Sequence, residues 1–333
     1  MKTTRKIIAM LLALVFICGT FAACVGEGGA GEDTKKFKIG IVQLVEHVAL
    51  DAATEGFKQA IIDELGADAV EFDFQNGQND PQTCSTIANQ FVSNGVDLIM
   101  ANATPALQSA SAATADIPIL GTSVTEYGVA LNIEGFNGTV GGNVSGTSDL
   151  APLTEQAQMM IDTLGLKNGD KVGLLYCSAE ANSIYQVAVV KAYLAGKGLT
   201  CTEYAFADSN DLSSVVTKAA GECKAIYVPT DNTVADNTGI IKNACMAKKV
   251  PVFAGEEGIC SGCGYATLSI DYYNLGKTTG AMAAKILLGK AHIEDMAIEY
   301  DANPTKKYNK EICDALGIDT AKLEAAGYVA ISK

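Results

Sequence analysis

From Phe37 onwards, short apolar segments alternate with longer segments in which apolar residues recur every three or four positions. The short runs predict buried strands, and the longer periodicity predicts amphipathic helices. In the first half, the predicted strands are Lys38–Val42, Val70–Phe74, Val96–Ala101 and Ile117–Leu120, and the predicted helices are Leu50–Leu65, Pro81–Asn94 and Pro105–Ala113. This alternation predicts an α/β fold with a parallel sheet covered by helices on both faces.

The alternation resumes after a glycine-rich passage that runs from Gly135 to Asp149. The strands predicted there are Lys171–Tyr176, Thr200–Phe206, Ala225–Val228, Val250–Ala254 and Ala266–Ile270, and the helices are Leu153–Leu164, Ala181–Leu194, Leu212–Ala220, Asn232–Ala247 and Tyr272–Leu288. We therefore expect two α/β lobes of similar build, with the last helix returning to the first lobe. The predicted division assigns residues 37–148 plus 271–291 to the first lobe and 149–270 plus 292–333 to the second.

Composition and charge restrict the classes of partner. The 333 residues include 48% hydrophobic and 19% charged residues, which favours filled cores over disorder. A net charge of −14 disfavours binding to nucleic acid or to an anionic lipid surface. Arg5 is the only arginine in the chain. An anionic ligand of the folded part must therefore be held by lysine, hydroxyls, backbone N–H groups or helix N-termini.

The N-terminus has the pattern of an export signal. Lys2, Arg5 and Lys6 precede an apolar run from Ile7 to Gly19, which is too short for a comfortable membrane span. Residues 1–23 are predicted to be a lipoprotein signal peptide, because small residues lead into Cys24 as in a bacterial lipobox. Cys24 is then the predicted lipidation site, and residues 24–36 a flexible tether. Simple secretion, with Cys24 an ordinary thiol, is the alternative.

Cysteine is frequent, with ten in the chain, but its spacing does not predict a metal site. Cys260 and Cys263 have CxxC spacing without a second pair or a nearby histidine, as a zinc site would require. They also do not follow a thioredoxin-like strand–helix start. The pair is interpreted as a local disulfide or as two buried thiols.

Candidate chemistry lies after the predicted strands, because ligands of open parallel sheets bind beyond the carboxyl ends of the strands. The segments found there mix hydroxyls, amides and carboxylates, and most of them open onto a helix. Such groups suit a zwitterion, since helix N-termini and hydroxyls can hold a carboxylate while Asp or Glu holds an ammonium. Helix capping is the competing interpretation of each residue. No GxSxG, HExxH or P-loop motif occurs, so an enzyme is not expected.

With the strand ends written out, the chain resembles the ABC-transporter substrate-binding protein family that includes tryptophan- and tyrosine-type binding lipoproteins. The likeness covers nearly the whole chain after the tether. It is carried by 40-GIVQLVEHVALD-51, 103-ATPA-106, 142-GNVSGTSD-149, 178-SAEANS-183, 228-VPTDNT-233 and 270-IDYYNLG-276. The sequence departs from the family pattern at Val48, where proline is usual, and at Glu126–Tyr127, where Asp-Pro is common and where a tyrosine could reshape the pocket for the ligand's side chain.

The resemblance implies a two-lobed periplasmic-binding-protein fold of type I that closes on a small molecule, most plainly an aromatic amino acid, for an ABC importer. It implies a monomer that needs no cofactor and whose partner is the permease of the transporter. It implies no binding to nucleic acid, and contact with the membrane only through the N-terminal lipid. Together with the strand ends it predicts these ligand-binding residues: Gln43, Leu44, Glu46, Thr104, Pro105, Thr125, Ser178, Glu180, Asn182, Ser183, Asp231, Asn232, Glu256 and Asp271.

Within that set, the implied roles differ. Asp231 or Glu46 is expected to hold the ammonium, and Ser178, Asn182 and Ser183 the carboxylate. Gln43 and Leu44 are expected to contact the ligand's side chain. Two alternatives stay open at this point: a sensor lipoprotein for a signalling receptor, and a different ligand such as a branched-chain amino acid, a nucleoside or a small peptide.

Overall fold

The computed structural model describes residues 36–301 and 303–332, which belong to one compact unit. The predicted signal peptide, the lipidation site Cys24 and nearly all of the tether lie outside the described residues. None of the helices in the described residues is both long and apolar enough to span a bilayer.

The first lobe is built on a parallel sheet of six strands. Its strand order is β11-β5-β4-β3-β1-β2. The strands are β1 (Phe37–Gln43), β2 (Val70–Asn76), β3 (Leu98–Asn102), β4 (Ile119–Val124), β5 (Val144–Ser148) and β11 (Glu299–Tyr300). Every residue of β3 and β4 is buried, as expected of central strands that are covered on both faces.

Five helices cover this sheet. They are α1 (Val48–Leu65), α2 (Pro81–Asn94), α3 (Thr104–Ala113), α4 (Tyr127–Leu131) and α11 (Tyr272–Leu287). Helices α1 and α11 pack so closely that a Cβ atom added to Gly276 would lie 1.9 Å from the carbonyl oxygen of Ala53. Glycine at this position therefore lets the late helix return to the first lobe, as the sequence predicted.

The second lobe contains a sheet of seven strands in the order β13-β12-β10-β9-β8-β6-β7. All of its pairs are parallel except β10–β12. The strands are β6 (Lys171–Cys177), β7 (Thr200–Phe206), β8 (Ala225–Val228), β9 (Val252–Ala254), β10 (Ala266–Ser269), β12 (Thr305–Tyr308) and β13 (Val329–Ala330). The helices are α5 (Leu153–Leu164), α6 (Ala181–Gly196), α7 (Ser209–Glu222), α8 (Asn232–Asp236), α9 (Thr238–Lys248), α10 (Glu257–Gly262), α12 (Lys310–Leu316) and α13 (Thr320–Ala325).

Several elements were predicted residue for residue, among them α2, α5, β7 and β8. The predicted single helix Asn232–Ala247 is instead two helices that meet at Asn237. The glycine-rich passage, interpreted as a connection, contains strand β5.

The assignment of residues 292–333 to the second lobe needs a correction at its start. Strand β11 pairs with β5, Glu299 opposite Thr147 and Tyr300 opposite Ser148, so residues up to 300 belong to the first sheet. The chain crosses between the lobes at 149–152, near 270–271, and again between β11 and β12. Two hydrogen bonds join these crossings, from the Asp271 N–H to Asp301 Oδ2 at 3.0 Å and from the Tyr272 hydroxyl to Asp149 Oδ2 at 2.9 Å. We refer to the three crossings together as the hinge.

The described cysteines are free thiols, and Cys260 and Cys263 are both buried. Of the two interpretations of this pair, the structure therefore shows buried thiols. Burial raises the pKa of both thiols well above the ordinary value, which keeps them protonated and unreactive.

Candidate functional site

The carboxyl ends of the two sheets face each other across a cleft that is closed in this structure. The His47 ring, just before α1 of the first lobe, lies 3.3 Å from Asn232 Oδ1 of the second lobe. The Asn79 amide donates to Thr233 Oγ1 at 3.2 Å across the same boundary. These two hydrogen bonds hold the start of α8 against the first lobe.

On the second-lobe side, Glu180 is buried and fully engaged. Its two oxygens accept from the backbone N–H groups of Asn232 and Thr233, at 3.0 and 2.9 Å, and so cap α8 from a neighbouring loop. They also accept from the Asn232 amide at 2.7 Å, from Thr233 Oγ1 at 2.9 Å and from the Asn182 amide at 3.1 Å. Glu180 therefore organises the wall of the second lobe.

Asp231 is likewise occupied within the second lobe. It caps α8 by accepting from the N–H of Val234 at 2.9 Å, and it also accepts from the N–H of Cys177 at 2.7 Å and from Ser183 Oγ at 2.8 Å. Burial and the nearby charge of Glu180 raise the pKa of Asp231 to about 8. The predicted ammonium ligand is thus a helix cap in this structure, which was its competing interpretation.

Glu256 follows β9 and caps α10 through the N–H groups of Gly258, at 2.5 Å, and of Ile259. Burial raises its pKa to about 7. Glu180, Asp231 and Glu256 therefore all serve helix N-termini of the second lobe, where the helix dipole favours a negative charge.

On the first-lobe side, Gln43 is turned towards α1. Its amide nitrogen donates to Val45 O at 2.9 Å and to Asp51 Oδ1 at 2.7 Å, while its oxygen accepts from Thr54 Oγ1 at 2.6 Å. Leu44 is only 1% exposed and packs in the core of the lobe. Both residues predicted to contact the ligand's side chain are thus held firmly by their own lobe.

A different group of buried polar atoms has no hydrogen-bond partner among the described residues. Those in or just after the strand ends at the cleft are Asn102 Oδ1, Thr104 Oγ1, Ser123 Oγ, Asp149 Oδ1 and Asn182 Oδ1. A buried polar atom without a partner is costly, so these atoms are candidate contacts for a polar ligand. Two hydroxyls can donate, and the carboxylate and amide oxygens can accept.

Thr104 stands at the start of α3, which has no side-chain cap. The preceding Ala103, between β3 and α3, has φ 94°, an unusual value for a residue other than glycine. Ser123 near the end of β4 also has a positive φ, of 53°. Backbone strain of this kind concentrates at binding sites, and both residues lie beside the cleft.

Asp149 was missed as a site residue by sequence reasoning. It follows β5 at the first crossing, is 3% exposed, and accepts from the hydroxyls of Tyr272, at 2.9 Å, and Thr125. Burial raises the pKa of Asp149. The signal that the sequence offered was the position of Asp149 at the end of 142-GNVSGTSD-149, one of the segments that carry the family resemblance.

The remaining predicted residues fall into two groups. Glu46, Ser178 and Asp271 are exposed, with Ser178 donating to Phe206 O at 3.1 Å and Asp271 capping α11. Pro105, Thr125, Asn182, Ser183 and Asn232 are buried near the facing strand ends. Tyr127, at a departure from the family pattern, is a core residue whose hydroxyl donates to Thr147 O at 3.0 Å.

Comparison with known proteins gives this arrangement a family. The family model described as "ABC transporter substrate binding protein" matches residues 38–324. The chain belongs to this family. Its members are a substrate-binding rather than a catalytic type of protein, and they act outside the cytoplasm.

Two relatives carry ligand information of their own. A protein of Clostridioides difficile (strain R20291) named tyrosine-binding protein is 36% identical over 304 residues, which is 87% of this chain and 86% of the relative. A solved ABC domain from Streptococcus pneumoniae in complex with L-Trp is 33% identical, covers 89% of this chain and all of its own, and superposes with a TM-score of 0.83.

A third relative is a ligand-free, open structure of a substrate-binding protein with adhesive properties from Clostridium difficile. It is 36% identical and covers 89% of this chain and all of its own, yet its TM-score is only 0.67. The greater likeness to the ligand-bound relative agrees with the hydrogen bonds that join the lobes here.

Proposed function

We propose that this protein captures an aromatic amino acid outside the cytoplasm and delivers it to the permease of an ABC importer. The observation that carries the proposal is the closed cleft with unpaired, buried donors and acceptors, the two kinds of group that a zwitterion requires. The relatives named for tyrosine and solved with L-Trp support an aromatic side chain.

The mechanism is closure about the three crossings between the lobes. A ligand that contacts both lobes only in the closed state shifts the open–closed equilibrium towards closed. Low-micromolar affinity, at about 8 kcal/mol, would suit capture followed by release to a permease. On this proposal the protein works as a monomer that Cys24 anchors to the membrane through lipid.

The absence of tryptophan from the chain makes the proposal directly testable. The protein from residue 27 onwards is unfolded, refolded without ligand and titrated with L-Trp while indole is excited selectively, so that the signal comes from the ligand. We expect saturation at micromolar concentration, with competition by L-Tyr and L-Phe and none by D-Trp. Lack of saturable binding to all three L-amino acids, in fluorescence and in calorimetry, would refute an aromatic amino-acid binder.

A further inference from the structure

We infer that Asp149 binds the α-ammonium group of the amino acid, and that Thr104, at the uncapped start of α3, binds its α-carboxylate group. The inference rests on the proposed function, which it deepens. It replaces Asp231 and Glu46 as candidates for the ammonium by a residue on the hinge.

The first step is the charge of the closed cleft. Asp149, Glu180, Asp231 and Glu256 are all buried, with 1% to 4% of each exposed. None of the lysines in the described part of the chain is buried, and Arg5 is the only arginine. The protein therefore provides no buried cation for these carboxylates. An ammonium group on the ligand would offset the desolvation of a buried carboxylate that helix N–H groups do not satisfy.

The second step distinguishes one carboxylate from the others. Glu180, Asp231 and Glu256 each accept backbone N–H groups at the start of a short helix. Asp149 serves no helix N-terminus. The Tyr272 hydroxyl donates to its Oδ2 at 2.9 Å, and the Thr125 hydroxyl and the backbone N–H of Asp149 itself also act on this carboxylate. Its Oδ1 has no partner in the described residues. Asp149 is thus the carboxylate with a free, buried oxygen.

The third step is the place of Asp149 between the lobes. Thr125, which donates to it, follows β4 of the first lobe, and Tyr272 stands at the second crossing. The charge of Asp149 also acts on Glu256 after β9 of the second lobe. Asp149 therefore lies at the floor of the cleft, where both lobes and the hinge meet.

The fourth step orders the groups along the sheet edge. Strands β3, β4 and β5 are neighbours, with Asn102 paired to Thr122 and Val124 paired to Ser148. Thr104 follows β3, Ser123 is the residue before the last of β4, and Asp149 follows β5. Two hydroxyls and the start of α3 therefore lie on one side, and a carboxylate on the other.

This order matches the two ends of an amino acid. A helix N-terminus without a side-chain cap attracts a carboxylate, and the buried, unpaired Thr104 Oγ1 supplies a further donor there. Asp149 Oδ1 is an acceptor for an ammonium. The first lobe would thus hold both charged groups of the ligand, leaving its side chain to the rest of the cleft.

The test removes one charge at a time from the ligand and from the protein. Affinity is measured by calorimetry for L-Trp, for indole-3-propionate, which lacks the ammonium, and for tryptamine, which lacks the carboxylate. We expect Asp149→Asn to weaken L-Trp binding by about 10- to 100-fold, the range for a hydrogen bond to a charged group. Because the ammonium is the lost partner, binding of indole-3-propionate should stay equal to wild type or improve.

Thr104→Val provides the reciprocal measurement and does not depend on the folding of the Asp149 variant. It should weaken L-Trp by about tenfold and leave tryptamine unchanged. Asp162→Asn, the same change on an exposed position of α5, is the matched control and should bind every probe as wild type does.

The outcomes separate this inference from the proposed function. If wild type binds no aromatic L-amino acid, the proposed function fails before any variant is compared. Two results would show that the inference is wrong although wild type binds L-Trp. In the first, Asp149→Asn binds L-Trp as tightly as wild type does. In the second, Asp149→Asn loses affinity for L-Trp and for indole-3-propionate to the same degree, so that Asp149 does not hold the ammonium.

Discussion

The two walls of the cleft are equally buried and bear similar residue types, but they differ in what their polar groups bind. In the second lobe, Glu180 and Asp231 satisfy the start of α8, and Glu256 satisfies α10. In the first lobe, α3 begins without a side-chain cap and Thr104 has no partner. In the second lobe α6 also begins without a side-chain cap, and Asn182 Oδ1 has no partner among the described residues. The walls therefore differ in their carboxylates: those of the second lobe bind within that lobe, whereas Oδ1 of Asp149, after β5 of the first lobe, has no partner there.

This difference gives the lobes different tasks. A wall whose hydrogen bonds are internal keeps its shape when the cleft opens, so the second lobe can close as a rigid surface. A wall with unpaired groups gains from a ligand even before closure. We therefore expect the ligand to bind the first lobe and the second lobe to close over it.

The largest effect is expected from removing the Glu180 carboxylate of the second lobe, and we expect it in the free energy of unfolding. In Glu180→Ala the two N–H groups, the Thr233 hydroxyl and the Asn232 amide would lose the carboxylate that accepts from them, whereas the Asn182 amide would keep Thr230 O as its acceptor. We expect a loss of about 3–5 kcal/mol in the free energy of unfolding, measured in urea without ligand.

The matched comparison is a substitution in the first lobe. Thr104→Val removes a hydroxyl that is equally buried but unpaired, so its free energy of unfolding should stay within about 0.5 kcal/mol of wild type. Glu155→Ala on the exposed face of α5 controls for loss of a glutamate. Equal losses for Glu180→Ala and Thr104→Val would remove the distinction between the walls.

The contrast also explains what could be read from the sequence. The strand ends that meet at the cleft were predicted, because apolar runs and helical periodicity mark the elements. Capping and ligand binding could not be separated, because both use the same residue types after a strand. Asp231 and Asp271 were predicted to bind ligand, and both cap helices in the structure.

Asp149 was missed for a different reason. Strand β5 is buried, yet it carries Ser145, Thr147 and Ser148, so hydropathy did not mark it as a strand. Its hydroxyls are satisfied by tertiary partners: Ser145 donates to Met296 O at 2.9 Å, and Thr147 bonds to Thr279 at 2.8 Å. Partners so distant in sequence have no local signature, so the end of β5 was interpreted only as part of a glycine-rich passage at the boundary between the lobes.

An intermediate effect is expected from pH, through the contact between the walls. His47 lies against Asn232 in the closed form, and burial lowers its pKa from 6.5 although Asp51, Glu180 and Asp236 act in the opposite sense. Opening of the cleft would remove the contact with Asn232 and expose the ring, so we expect the pKa to rise towards its ordinary value in the open form. The contribution of His47 to closure is therefore present above about pH 6.5 and is lost as the pH falls. Affinity for the ligand should be about threefold to tenfold weaker at pH 5 than at pH 7.5.

His47→Gln is the variant that isolates this contribution. Glutamine can still donate to Asn232 but does not titrate, so part of the acid-side loss of affinity should disappear, and Asp149, whose pKa burial raises, should account for the rest. His292→Gln on the exposed part of the first lobe is the control. A pH profile of the ligand's Kd that is the same in wild type and His47→Gln would exclude His47 as the source.

The smallest effect should come from the second contact between the walls. The Asn79 amide donates to Thr233 Oγ1 at 3.2 Å, and Thr233 Oγ1 in turn donates to Glu180. Because Thr233 keeps its bond to Glu180 when Asn79 is truncated, Asn79→Ala removes one neutral hydrogen bond from the closed state and leaves the second lobe intact. We expect about a twofold to fivefold faster release of the ligand in stopped-flow displacement, with the association rate nearly unchanged. Gln78→Ala, at the exposed neighbouring position, should release ligand at the wild-type rate. A slower association of the ligand with Asn79→Ala would contradict this expectation. It would mean that Asn79 shapes the ligand-binding surface of the first lobe before closure, rather than stabilising the closed state through its contact with Thr233.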